Sequence, residues 1–171
     1  MQKFKNVIGL PVVCVEDGKK VGRVGDITFS PKSKGVLAII LEKKGMELCR
    51  KAIAIEDVVS LGNDAVIVND VSCIKKLWKK DMVDNKEIKG LHIYTKEGKD
   101  MGVVEDILFD YKKGTIEALE ISDGIFSDIF TGRKILPLFG KVEFGEDSIL
   151  AGEEAIEEMI STGGGINNRL K

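Results

Sequence analysis

This 171-residue chain holds one histidine, three cysteines and one tryptophan, and each scarcity removes a class of function. A histidine base must lie within reach of a nucleophile. The single candidate, His92, falls on the first strand of a segment whose earlier counterpart, "LPVV", has no histidine. The cysteines Cys14, Cys49 and Cys73 are odd in number and show no CxxC spacing, which argues against a disulfide framework and a zinc site. They read as small apolar residues in a reducing compartment, so the cytoplasm is the expected address. No apolar run approaches the roughly 18 residues that span a bilayer, so no transmembrane segment is expected. The opening "MQKFKNVIGL" lacks an apolar stretch ending in small residues, so no export signal is expected. No HExxH, EF-hand, GxxxxGK[ST] or GxGxxG pattern occurs. No catalytic residues, cofactor or metal site are therefore expected, and the chain reads as a non-enzyme.

What is present describes a soluble globular protein: 43% hydrophobic and 32% charged residues. The net charge of −2 hides a division, because residues 1–80 carry 15 Lys/Arg against 9 Asp/Glu, and residues 81–171 carry 11 against 19. A split of +6 and −8 favours halves that lie against each other, or a basic face that meets an anionic partner.

The chain repeats itself. "DGKKVGRVGDITF" (17–29) and "EGKDMGVVEDILF" (97–109) agree at seven of thirteen positions. The match extends outward: "VLAIILE" lies over "IEALEIS" at an offset of 80, and "RKAIAI" over "RKILPL" at an offset of 83. This period is too long for a solenoid repeat and indicates tandem domains. The expected organisation is a first domain at 6–80, a linker at 81–86, a second domain at 87–161, and a flexible tail at 162–171.

Each copy is a series of short Val/Ile-rich runs separated by turn residues, which predicts strands. Gly18 and Gly98 stand where a tight hairpin needs a positive φ. Gly22 and Gly102 interrupt a strand pattern, as glycines do at bulges or corners. Asp26 and Asp106 lie beside apolar neighbours, where a carboxylate can accept backbone N–H bonds at a bend. These six residues are read as fold-determining. A sheet of five or six short, sharply bent strands is most simply closed as a small barrel. "VSCIKKLWKK" (71–80) and "EEAIEEMI" (153–160) show helical spacing and predict a short helix after each barrel. The fold class is thus mainly all-β: two tandem small barrels, each followed by a short helix.

The twice-written pattern Gly18, Lys19, Gly22, Val24, Asp26, Ile27, Phe29 and Gly98, Lys99, Gly102, Val104, Asp106, Ile107, Phe109 resembles the PRC-barrel family. That family takes its name from the cytoplasmic barrel of the photosynthetic reaction-centre H subunit. Related barrels occur at the C-terminus of a bacterial ribosome maturation factor and in small stand-alone proteins. The resemblance implies a compact β-barrel serving as an adaptor or assembly module, with no catalytic set.

Two segments stand out as contact surfaces. In the second copy, "DGIFSDIFTGR" replaces the shorter "KKGMELCR", and places Ile125, Phe126, Ile129 and Phe130 on one face of a short helical turn. Those side chains read as a partner or inter-barrel contact. Lys75, Lys76, Lys79 and Lys80 surround Trp78 and form a candidate contact for an anionic partner. The expected function is protein–protein binding with a partner of unstated identity. The alternatives are an RNA- or ribosome-associated factor using the lysines, a peripheral protein making weak membrane-surface contact, and an enzyme with a concealed site.

Overall fold

The computed structural model describes residues 1–43, 49–77, 83–124, 128, 132–138 and 141–162. The chain divides into two compact units. The first comprises Met1–Lys86 with Phe109–Thr115; the second comprises Glu87–Leu108 and the chain from Ile116 onward.

The first unit begins with β1 (Gln2–Lys3) and a one-turn helix, Phe4–Val7, followed by β2 (Pro11–Cys14), β3 (Lys20–Ser30), β4 (Gly35–Leu41) and β5 (Arg50–Ala54). Then come β6 (Val58–Leu61), β7 (Val66–Val68), β8 (Ile74–Leu77) and β9 (Val83–Asp84). After the one-turn helix Asn85–Ile88, the second unit contains β10 (His92–Thr95), β11 (Asp100–Asp110), β12 (Thr115–Ser122) and β13 (Lys134–Pro137). It continues with β14 (Val142–Phe144), β15 (Ser148–Ala151), a helix over Glu153–Glu157 and β16 (Ile160–Ser161).

The two units share one topology. The strand order is β6-β7-β2-β3-β4-β5-β8 in the first and β14-β15-β10-β11-β12-β13-β16 in the second. In each, the first long-hairpin strand runs parallel to a strand near the end of the copy, β2 with β7 and β10 with β15. Individual hydrogen bonds repeat as well. Gly9 N–H donates to Val24 O and Gly90 N–H to Val104 O, at 2.7 and 2.8 Å. Val24 and Val104 donate in turn to Leu10 O and Leu91 O, both at 2.9 Å.

Two bulges bend β3. Val21 is unpaired between the Val12–Gly22 and Val13–Lys20 pairs, and Gly25 between the Val24–Leu41 and Asp26–Ile40 pairs. An extra residue switches the side-chain alternation, so Val24, Ile27 and Phe29 are all fully buried. The core of the first unit is aromatic at its centre. Phe4 meets Phe29 and Phe109 edge-on, with ring centroids 6.4 and 4.8 Å apart. Phe109 thereby accounts for part of the unit's claim on Phe109–Thr115, and Val36 N–H adds a 2.8 Å bond to Gly114 O. The second unit's core is aliphatic: Ile93, Val104, Ile107, Leu119, Ile121, Leu136 and Ile149.

One expectation needs correction. The segment Val71–Lys80 is not a helix where it is described. Asp70 caps a single 3₁₀ turn, Val71–Cys73, by accepting Ser72 N–H at 2.6 Å, and the chain then extends as β8 along β5. A ladder that satisfies backbone groups along four residues outweighs a ten-residue periodicity that fits either structure. The linker is also partly regular: Val83 and Asp84 form β9 against Phe29 and Thr28 of β3, and Thr28 Oγ1 donates to Val83 O at 3.1 Å. Each unit is otherwise the mainly-β, barrel-like fold expected, a curled, bulge-bent sheet; among the described residues no ladder joins β6 to β8 or β14 to β16.

Candidate functional site

The glycines and carboxylates repeated in the sequence sit at bends. Gly18 and Gly98 have φ of +66° and +83° in the hairpin turns. Asp26 and Asp106 are both buried, and each accepts the N–H of the next residue, Ile27 at 2.8 Å and Ile107 at 2.9 Å. Their carboxylates are thus engaged at the point where the strand bends. Gly22 and Gly102 stand opposite Val12 and Ile93 beside the first bulge. His92 is exposed, stacks on Tyr94 at 5.8 Å, and lies 3.1 Å from Asp100 Oδ2.

Of the lysine-rich candidates, Lys75 and Lys76 are exposed on β8, with Lys76 directly opposite Lys51 of β5. Trp78, Lys79 and Lys80 lie outside the described residues, as do Ile125, Phe126, Ile129 and Phe130.

The structure adds two arginine-centred groups. Arg50 grips the buried Asp84 with both arms, Nη2 to Oδ1 and Nη1 to Oδ2 at 2.9 Å each. Its counterpart Arg133 lies within 3.4–3.7 Å of Asp128, Glu105 and Glu120, the last of them buried. Ser122 Oγ donates to Asp128 at 2.8 Å, and Arg133 O accepts both the N–H and the hydroxyl of Thr162. The sequence held a signal for these groups in the repeated "RK" of "RKAIAI" and "RKILPL". Their chemistry is that of an always-charged fork neutralising buried carboxylates, which is structural.

The feature best formed for binding is an open cleft of about 870 Å³ in the second unit. Met101 from β11 and Ile156 and Met159 from the Glu153–Glu157 helix and its exit supply apolar lining. Around them stand five carboxylates, Glu97, Asp100, Asp123, Glu153 and Glu157, against two lysines, Lys99 and Lys134. Lys134 is held by Asp123 at 2.6 Å. Two of the acids have their ionised form favoured by hydrogen bonds. The Gly102 amide, and after it His92, hold the Asp100 carboxyl below the usual carboxylate range, and the Thr95 hydroxyl does the same for Glu97. Thr95, the hydroxyl residue of the lining, accepts the backbone N–H groups of Glu97 and Lys99 at 3.2 and 3.3 Å and is a turn cap. The cleft can therefore hold positive charge and aliphatic surface together. The spacing of "EEAIEEMI" predicts only a short helix, although acids interleaved with Ile156 and Met159 were visible there.

Among the described residues no group of three or more His, Cys, Asp or Glu side chains is arranged to hold a metal ion, and no helix is long and apolar enough to cross a membrane. A model of the PRC-barrel domain matches the chain twice, at residues 1–72 and 80–152. A protein of Bacillus subtilis (strain 168), described as uncharacterized protein YrrD, is 28% identical over 145 residues, spanning 84% of this chain and 83% of that one.

Proposed function

The chain belongs to the PRC-barrel family, and from that premise we propose that it is a non-catalytic tandem module that works by binding other proteins. The observation that carries this reading is the second unit's cleft, where apolar and acidic side chains converge with no nucleophile–base pair among them. Pockets of roughly 300–1,000 Å³ with an apolar lining and a few placed polar groups are typical binding sites. The buried charges elsewhere are taken up by backbone amides and arginines, which fits a scaffold rather than a reaction centre. Affinity capture from the native cell after mild cross-linking tests the proposal: a discrete protein recovered with the full chain and absent from a bait-free control supports it. Recovery of nucleic acid alone, or of nothing, counts against it.

A second reading draws on β5 and β8, where Lys51, Lys75 and Lys76 share an exposed ladder in the more basic half of the chain. That edge suits an anionic partner such as RNA. Phosphate contacts release counterions, so RNA binding there weakens steeply from 50 to 200 mM salt. Salt-independent binding removes this alternative.

A further inference from the structure

On the reading that the chain acts by binding proteins, we infer that the second unit's cleft takes a cationic amphipathic segment of a partner protein. Lysine or arginine side chains of that segment meet the acidic rim, and an aliphatic side chain enters between Met101, Ile156 and Met159.

The argument begins with charge. With Lys134 and Asp123 paired and Asp100 met by His92 and the Gly102 amide, the lining still holds Glu97, Glu153 and Glu157 against Lys99, and its carboxylates outnumber its lysines five to two. An anionic segment, a nucleic acid backbone or an acidic membrane surface would meet repulsion there. A purely polar cation would leave the apolar lining wet, and a purely apolar group would leave the excess of carboxylates over lysines in the lining unbalanced. An amphipathic cationic segment satisfies both requirements, and charge complementarity of this kind governs specificity and encounter rate. Two of the three apolar side chains are methionines, whose unbranched thioethers repack around differently shaped anchors. The cleft should accordingly accept leucine, isoleucine or methionine at the anchor position.

The duplication supplies an internal contrast. At the positions of Asp100 and Asp123, the first copy carries Lys20 and Lys43. Where the second copy has the Glu153–Glu157 helix, the first has the 3₁₀ turn Val71–Cys73. At those two places the same framework presents opposite charge, while Asp17 and Lys19 match Glu97 and Lys99 in sign, and recognition of a cationic segment belongs to the second unit.

The test uses the full chain and a fluorescein-labelled ten-residue peptide of alternating lysine and leucine, followed by fluorescence polarisation. A Lys–Ser peptide and a Glu–Leu peptide serve as controls. Saturable one-to-one binding of the Lys–Leu probe is expected, with both controls at least tenfold weaker. The double variant Glu153→Lys/Glu157→Lys changes two exposed residues and should raise Kd at least tenfold while its circular dichroism and melting stay those of the parent. Met159→Ser should raise Kd three- to tenfold, and Lys20→Glu should leave it within twofold. A Lys–Ser peptide that binds as tightly as Lys–Leu, or a double variant that binds as the parent does, overturns the inference. Cross-linked capture with the double variant separates this failure from that of the broader reading. If parent and variant recover the same protein, the cleft assignment falls and protein binding stands. If neither recovers any, both fall.

Discussion

Alanine substituted for either of two equivalent glycines should produce very different losses of stability. Gly102 has φ of +112°, and a Cβ placed there would overlap the Ser122 carbonyl oxygen and lie 2.9 Å from its carbonyl carbon. Backbone cannot step aside as a side chain can. Strain at a left-handed φ costs about 1–3 kcal/mol, and forcing an extra methyl group into packed structure about 1–3 more. Reduced freedom of the unfolded chain returns about 0.4–1 kcal/mol. Gly102→Ala should thus lose about 1–5.6 kcal/mol. Gly22 does not have a positive φ, and its added Cβ would meet only the Leu41 side chain, at 3.4 Å, an ordinary contact. Gly22→Ala should fall within about 1 kcal/mol of the parent, since only the unfolded-state term and a small adjustment of Leu41 remain. For a unit of this size each kcal/mol moves the melting temperature by about 4–8 °C. Thermal unfolding followed by far-ultraviolet circular dichroism should place Gly102→Ala roughly 5 °C or more below the parent and Gly22→Ala close to it. Equal losses for the two, or an unshifted Gly102→Ala, would refute the backbone geometry on which the reasoning rests.

Three further outcomes follow from the same structure. Arg50→Ala removes the bidentate partner of the buried Asp84 carboxylate and should cost about 3–5 kcal/mol in urea unfolding, with Asp84→Ala adding less in the Arg50→Ala background than alone; additive losses would contradict a direct pair. Phe4→Ala empties the centre of the first unit's aromatic cluster and should cost about 3–5 kcal/mol, measured the same way; a loss under about 1 kcal/mol would show the cluster to be loosely packed. For pH, the carboxyls of Asp17, Asp70, Asp100 and Asp110 are held low, chiefly by hydrogen bonds from Lys19, Ser72, Gly102 and Lys113. A depressed folded-state value stabilises above the unfolded one, near pH 4, and that stability is lost as pH falls through the folded values; melting temperature should therefore hold from pH 7 to 5 and drop below about pH 4, and a flat profile to pH 3 would contradict these bonds.

The duplication was legible because it is local. A glycine at a hairpin, a glycine beside a bulge and an aspartate at a bend each solve a problem set by their immediate neighbours, and the same residues recur eighty positions on. What could not be read was decided by distant parts of the chain. Ile74 and Leu77 fit a helix or a strand, and β5 selects the strand by offering a ladder. Asp84 fell within the expected linker, and its pairing with Arg50, 34 residues away, showed in no local pattern. That each unit curls its sheet was legible in its short, glycine-interrupted strands, but which strands stand at the ends, such as β8 with Lys75 and Lys76, was not. The cleft escaped notice for the same reason: Met101, Glu97 and Glu157 come from a strand, a turn and a helix that only the fold brings together.

Shared strand order in both copies is the claim beneath everything else, and its least ordinary element is the pair of parallel ladders, Val12–Val66 to Cys14–Val68 and His92–Ser148 to Thr95–Ala151. A nitrogen-separated nuclear Overhauser spectrum of the full chain reports strand direction from amide and α-proton proximities. The parallel pattern should appear at both places with matching register. An antiparallel pattern at either, or a parallel one at the first alone, would contradict it.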